Sequence, residues 1–235
     1  MIFDLDDTLF DRSRAQREIV HRIVREFRGL FAGMGEAGIV EAFFESDRQA
    51  VREFEAGGSA DTVRTGRSRR FLTLLGLSVE YADRITNFYV NAYSKMDTAV
   101  EGAKDVITDL VQSYQLGIVS NGFPDVQYRK LEALGIRHHF DCILLSEELG
   151  IRKPDPRIFR EAADLLGRNP SECMHVGDSY DSDVIGAREA GLRACWYNPN
   201  GLDCTSVHIK PDFEISALNE IFGLLGCSLP GVGGT

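Results

Sequence analysis

Apolar positions along the chain follow two different patterns, and the change between them divides the sequence. Met1–Phe3 is a short apolar run that ends at the acidic residue Asp4. From about Arg14 the spacing turns helical. Ile19, Val20, Ile23, Val24, Phe27, Leu30 and Phe31 recur at three- and four-residue intervals, as one face of a helix requires. Ile39, Val40, Phe43, Phe44, Val51 and Phe54 carry a second helix. A Gly57-Gly58-Ser59 break follows, then Phe71, Leu72, Leu74 and Leu75 mark a third helix, and Ile85, Phe88, Tyr89, Ala92 and Tyr93 a fourth. Past Glu101 the pattern alternates. The short apolar runs Leu116–Ser120, Cys142–Ser146, Met174–Asp178 and Ala194–Tyr197 are separated by helical stretches such as Val126–Leu134, Arg157–Leu166 and Val184–Ala190. Such alternation predicts βαβ units and a parallel sheet with helices on both faces. The expected fold class is therefore α/β, a doubly wound parallel sheet with a small all-helical domain inserted after the first strand. The core would take residues 1–11 and 99–235, and the helical insertion 12–98.

Composition narrows what such a fold can do. The chain has 235 residues, enough for one ordinary domain and a smaller insertion. Hydrophobic residues at 43% and charged residues at 26% are the balance of a soluble globular protein. The apolar runs are too short to cross a bilayer, so no membrane partner is expected. Asp4 arrives too early for the apolar middle of a secretory signal, and the expected location is the cytoplasm. A net charge of −10 argues against a nucleic-acid polymer as partner, since a duplex binder presents a basic surface. The five cysteines (Cys142, Cys173, Cys195, Cys204 and Cys227) include no CxxC pair, so neither a zinc ribbon nor a thioredoxin-like site is expected. Cys142, Cys173 and Cys195 lie in or beside strand-like runs and read as small buried hydrophobes. The tail Pro230–Thr235 reads as a frayed end.

Candidate chemistry sits where the predicted strands stop. Asp4-Leu5-Asp6-Asp7-Thr8 follows the first apolar run, and residues two apart on an extended chain point the same way, so Asp4 and Asp6 can face one cleft. Paired carboxylates repel, and a cation or a shared proton must settle them. Alone, an acidic cluster of this kind is ordinarily a solvated turn or helix cap. Ser120-Asn121-Gly122 ends the next strand with a hydroxyl and a tight turn of backbone amides that can hold phosphate oxygens, though a plain strand-to-loop turn looks the same. Lys153-Pro154-Asp155 puts a cation just before a helix, where a surface lysine is the ordinary reading. Gly177-Asp178-Ser179-Tyr180-Asp181-Ser182-Asp183 ends another strand with acids, which could equally be a capped helix start. Each is weak by itself. Together they stand in order at strand ends, which is where ligands of such sheets bind.

In these four segments the sequence resembles the haloacid dehalogenase superfamily of hydrolases, over nearly its whole length. The resemblance implies a Rossmann-like core with a small helical cap that closes over a site for a small molecule. It implies that Asp4 is the nucleophile and that Asp6 serves as general acid and then general base. Ser120 and Lys153 are implied to hold phosphate oxygens, with Asn121 beside them in the substrate site. Mg²⁺ is the implied cofactor, held by Asp4, Asp178 and the backbone carbonyl of Asp6. Thr8 would support the loop, and Asp183 would orient Lys153 or a water on the metal. Asp7, Asp155 and Asp181 are left outside the chemistry. Two departures from the family pattern stand out. Three residues precede Asp4, which leaves open whether the start lies upstream of Met1, and Val100-Glu101-Gly102 lacks the proline common near the return from the cap.

The expected activity is hydrolysis of a small phosphorylated metabolite, by a monomer or homodimer. A 2-haloacid dehalogenase expels halide, which needs no proton, so Asp6 argues against that alternative. A sugar-phosphate mutase would share all four segments, and a non-catalytic binding module would be expected to have lost one of them. The run Ser120–Phe123 with Gln127 and Leu131, together with Ser146-Glu147-Glu148 and Cys195-Trp196-Tyr197-Asn198, resembles the branch of pyrimidine 5′-nucleotidases, with N-acylneuraminate 9-phosphate phosphatases as near neighbours. A nucleoside 5′-monophosphate is the leading substrate. In the basic stretch Arg64–Arg70, Arg67 and Arg70 are candidates for substrate contact, against the alternative of a solvated helix face.

Overall fold

The structure is a computed structural model, and it describes residues 1–203 and 208–226. The chain divides into two compact units, Met1–Arg12 with the chain from Asp97 onward, and Ser13–Met96. Cys204, Cys227 and the tail from Pro230 lie outside the described residues.

The first unit is built on a six-stranded sheet. Its strands are β1 (Ile2–Phe3), β2 (Gly117–Ser120), β3 (Cys142–Leu145), β4 (Met174–Gly177), β5 (Arg193–Tyr197) and β6 (Phe213–Ile215). Every pairing is parallel, in the order β3-β2-β1-β4-β5-β6. A sheet covered by helices on both faces needs apolar residues on both sides of each strand, which is why these segments read as continuous runs rather than alternations. β6 was missed in the sequence because three residues are too few to set a period.

β1 has two residues but lies between β2 and β4, with Ile2 opposite Gly117 on one side and His175 on the other. The Asp4 amide extends that ladder by donating to the Val176 carbonyl at 2.9 Å. This register brings the ends of β1, β2 and β4 to the same level. Behind the sheet, Ile158, Phe159 and Ala162 of one helix (Pro156–Leu165) pack with Val119, Val184, Ala187 and Trp196 in a fully buried cluster. Cys142, Cys173 and Cys195 are buried free thiols, and burial pushes Cys142 up to about 11 and Cys195 to about 12. A thiolate is the reactive form. Peptide mapping after iodoacetamide should therefore find these three unlabelled in the native protein at pH 8 and labelled after unfolding. Native labelling would contradict their burial.

The second unit is all helical: α1 (Arg12–Glu26, entering from the first unit), α2 (Glu36–Glu55), α3 (Ala60–Leu74) and α4 (Ala82–Tyr93), with a short 3₁₀ turn at Val79–Tyr81. Its core is aromatic. Phe43 meets Phe71 edge-on at 5.6 Å and lies 5.6 Å from Tyr89, while Phe31 and Phe71 are 5.9 Å apart. Rings at these separations add to the area they bury. Ser59 caps α3 by accepting from the Thr62 amide, which accounts for the break read at Gly57–Ser59.

Candidate active site

Among the described residues of the first unit, the helices α5 (Ala103–Leu110), α6 (Pro124–Leu134), α7 (Ser146–Leu149), α8 (Pro156–Leu165), α9 (Gly186–Ala190) and α10 (Ile221–Leu224) follow. A π-helical turn over Tyr180–Ile185 leads into α9, so the helix begins earlier than Val184. Such turns often occur at functional sites.

The sheet order decides which side chains meet. Asp4 leaves the end of β1, Ser120 closes β2, and Asp178 follows Gly177 at the end of β4. Asp4 is buried and Asp178 partly so. Lys153, from the loop between α7 and α8, is buried with its ammonium 2.5 Å from Asp4 Oδ1 and 2.7 Å from Asp183 Oδ1. Asp183 Oδ1 also accepts from His175 Nε2 at 2.9 Å, and its Oδ2 accepts from the Ser179 amide at 3.0 Å. Both oxygens of Asp183 are thus engaged, and His175 and the Ser179 amide fix the carboxylate that pairs with Lys153. Gly177 is required here, because a Cβ at that position would lie 2.3 Å from the Asp183 carboxyl carbon.

Electrostatics are tense around these groups. Burial raises the Asp4 pKa to about 7, with Asp183 and Asp6 adding repulsion and Lys153 opposing it. Burial raises Asp178 to about 8, helped by Asp4, Asp183 and Asp7. Burial also works against the Lys153 charge, yet Asp183 and Asp4 outweigh it and hold the ammonium above its ordinary value. Asp183 is likewise penalised by burial, but Lys153 and His175 take it well below the usual carboxylate range. One carboxylate oxygen each from Asp4, Asp178 and Asp183 lies within 4.8 Å of the others. Since Asp183 is already engaged, Asp4 and Asp178 are the two acids for which a divalent cation would relieve both burial and mutual repulsion.

The loop between them is tied down by hydrogen bonds. Thr8 Oγ1 accepts from the Asp178 amide at 3.1 Å, joining the loop after β1 to the one after β4. Asp7 takes φ 57° and accepts from the Arg12 amide at 3.0 Å, closing a local turn of the loop. Trp196 Nε1 donates to the Asp178 carbonyl at 2.8 Å.

Three expected residues differ in placement from the sequence reading. Asn121 is spent on the Lys153 backbone: its Nδ2 donates to the Lys153 carbonyl and its Oδ1 accepts from the Lys153 amide, both at 2.9 Å. Both polar atoms of its amide are thus engaged by the backbone of Lys153. Arg67, expected as a substrate contact, is buried within the helical unit. Its guanidinium lies 3.6 Å from the Tyr89 ring centre and its Nη1 is 3.3 Å from Asp47 Oδ1, which also accepts Gln16 through Oδ2 at 2.7 Å. Arg70 is engaged bidentately by Glu53 at 2.8 and 3.0 Å. A run of basic residues in a sequence cannot show that its members have acidic partners on another helix.

Two residues on α6 were not recognised from the sequence as part of this site. Gln127 Nε2 donates to Asp6 Oδ2 at 2.9 Å and to Ser120 Oγ at 2.7 Å. Lys130 Nζ lies 2.5 Å from Asp6 Oδ1 and 4.7 Å from the centre of the Phe10 ring. Burial works to raise the Asp6 pKa, but Lys130, Arg12 and the bonds from Lys130 and Gln127 outweigh it and bring the net below the ordinary value. A signal was present. The buried residues of α6 are Gln127, Lys130, Leu131 and Leu134, so two polar residues occupy an apolar stripe at spacings of three and four.

Acids, a hydroxyl and a buried ammonium thus meet on one side of this parallel sheet, beyond the ends of β1, β2 and β4. The chain belongs to the haloacid dehalogenase-like hydrolases, whose family pattern matches residues 1–191. It is 30% identical over 234 residues to the glyceraldehyde 3-phosphate phosphatase of Methanopyrus kandleri, an alignment covering 96% of each chain. It is 34% identical to the pyrimidine 5′-nucleotidase YjjG of Escherichia coli over 60% of this chain and 63% of that one. It also matches the phosphoserine phosphatase of Thermus thermophilus at 45% identity, over 46% of this chain and only 43% of that one. Among solved structures, the hydrolase YfnB of Bacillus subtilis, bound to magnesium, superposes with a TM-score of 0.78 at 27% identity, covering 96% of this chain and 97% of that one. Among the described residues, no helix is long and apolar enough to cross a membrane.

Proposed function

We propose that the chain hydrolyses a small phosphomonoester in two steps, through a phosphorylated Asp4. The observation that carries this reading is the buried Lys153 ammonium 2.5 Å from Asp4 Oδ1, a cation set where one anion must approach another. In the first step an Asp4 oxygen bonds to phosphorus and the bond to the leaving oxygen breaks. Asp6, ionised in the free protein beside Lys130, gives that oxygen a proton that it takes up from solvent as the substrate binds. In the second, Asp6 takes a proton from water as the water oxygen bonds to phosphorus, and the Asp4–phosphorus bond breaks to release phosphate. Lys153 and the Ser120 hydroxyl hold the non-bridging oxygens, and Asn121 and Asp183 keep Lys153 in place. Asp4, Asp178 and the Asp6 backbone carbonyl, all hard oxygen donors, would hold Mg²⁺, which when bound neutralises charge between nucleophile and phosphate.

A small phosphorylated metabolite is the substrate class supported by the relatives' names, with a nucleoside 5′-monophosphate as the leading candidate. A second reading has one observation in its favour: the 2-haloacid dehalogenase of Pseudomonas syringae superposes with a TM-score of 0.64 at 27% identity, covering 96% of each chain. Asp6 supports the phosphatase, because halide leaves without a proton. The test is phosphate release across nucleotides, sugar phosphates, glyceraldehyde 3-phosphate and phosphoserine, with chloride release from 2-chloropropionate as a parallel arm. Chloride without phosphate would reverse the assignment. In single-turnover phosphoryl transfer, Asp6→Asn should slow a nucleoside 5′-monophosphate by about 10²–10⁴-fold, the usual contribution of a general acid, and p-nitrophenyl phosphate far less. Nitrophenolate departs without a proton, whereas an alkoxide does not. Equal slowing of both would mean that Asp6 is not the acid.

A further inference from the structure

The burial of Lys130 has no explanation in packing. It sits on the buried stripe of α6 beside Leu131 and Leu134, where a methionine would fill the same space without the cost of desolvating an ammonium. Gln127, one turn earlier, likewise turns an amide inward. Both point to the same place. Lys130 holds Asp6 Oδ1 at 2.5 Å and Gln127 holds Asp6 Oδ2 at 2.9 Å, so each oxygen of the carboxylate has its own donor. The same Gln127 Nε2 reaches Ser120 Oγ at 2.7 Å, and the Gly122 amide donates to that oxygen at 3.3 Å. A hydroxyl that accepts twice has its proton left to donate. Gly122 makes the arrangement possible, since a Cβ there would lie 2.3 Å from the Gln127 amide carbon.

We propose that Lys130 and Gln127 are positioning residues that aim the Asp6 carboxylate at the leaving oxygen, and that Gln127 also fixes the Ser120 hydroxyl as a donor toward the phosphate. The inference rests on the reading of Asp6 as general acid and base. Lys130 acts through Asp6, whereas Gln127 divides its effect between Asp6 and Ser120.

The test is a double-mutant cycle in single-turnover phosphoryl transfer with Mg²⁺ present, using a nucleoside 5′-monophosphate and p-nitrophenyl phosphate. Lys130→Met should slow the nucleotide by about 10–100-fold, the usual cost of losing a partner that orients a functional side chain, with KM little changed and the nitrophenyl ester much less affected. In an Asp6→Asn background Lys130→Met should cost nothing further, because the group it aims is already gone. Gln127→Met should show the same leaving-group dependence, plus a smaller loss that persists beside Asp6→Asn and falls on both esters through Ser120. Melting curves establish that each variant folds, and if Lys130→Met does not, Gln127→Met carries the test. Full additivity of Lys130→Met with Asp6→Asn, or equal slowing of both esters, would overturn the inference and make Lys130 a packing residue. If Asp6→Asn alone shows no leaving-group dependence, the general-acid reading fails and the inference goes with it. If Asp6→Asn shows it and Lys130→Met does not, the inference alone fails.

Discussion

Asp4→Asn should leave a folded protein whose phosphate release falls by about 10⁴-fold or more, the scale of losing the nucleophile of a covalent mechanism. The amide preserves volume but has no anionic oxygen to attack phosphorus. Stability should not suffer, because burial and the neighbouring acids already disfavour the charge at this position. Lys153 keeps Asp183 as a partner in the variant, so no ammonium is stranded. Phosphate release read beside a melting curve separates the two effects. Acid-quenched wild type caught in turnover should carry phosphate on Asp4, and the variant none. Near-normal release from the folded variant would end the covalent scheme.

The second large effect is on stability and concerns the acids themselves. In metal-free protein Asp4 and Asp178 sit at about 7 and about 8, far above the ordinary carboxylate value, chiefly because they are buried. A carboxylate with a raised folded-state pKa favours the native state below its unfolded value near 4 and loses that contribution as pH climbs to the folded value. The metal-free melting temperature should therefore fall between about pH 4 and pH 8. Asp183 and Asp6, whose pKa values are lowered, act in the opposite sense only below that window. Buried His175, also lowered, opposes the fall up to about pH 6.5, so the loss is clearest between about pH 6.5 and pH 8. Mg²⁺ at a hundred times its dissociation constant contributes about 2.7 kcal/mol, on the order of 5–10 °C for a chain of this size, and most at the alkaline end. Asp178→Asn should lose most of that shift, and chelation should remove activity together with the stabilisation. Ca²⁺, which accepts looser geometry and more ligands, should stabilise without supporting turnover. A melting temperature indifferent to Mg²⁺ at pH 8 would remove the metal from this site.

How much of this was legible in the sequence depended on the range over which each feature is encoded. Helices of the insertion and strands β2 to β5 could be read because their patterns are local: one period of about 3.6, or a run of apolar residues bounded by turns. Asp4, Ser120 and Asp178 could be singled out because each stands at the end of a strand, whereas Lys153 follows a short helix and Asp183 lies in a helical turn. Partnership is another matter, since it joins residues far apart in the chain. Asn121 reads as a polar residue in a glycine turn, and only the folded chain puts it on the Lys153 backbone, 32 residues away. Arg67 and Arg70 read as a basic patch, and the folded helices supply Asp47 and Glu53 from α2 to engage them. Lys130 stood in plain view on an apolar stripe, but its meaning required Asp6, 124 residues earlier, to be brought beneath it. The sequence by itself determined which chemical groups are available and that Asp4, Ser120 and Asp178 stand at strand ends, because hydrophobic periodicity and strand punctuation are written in consecutive residues. Tertiary structure alone decided which carboxylate each cation serves, because a buried charge takes the partner that the packing of the sheet and its helices places within hydrogen-bond reach.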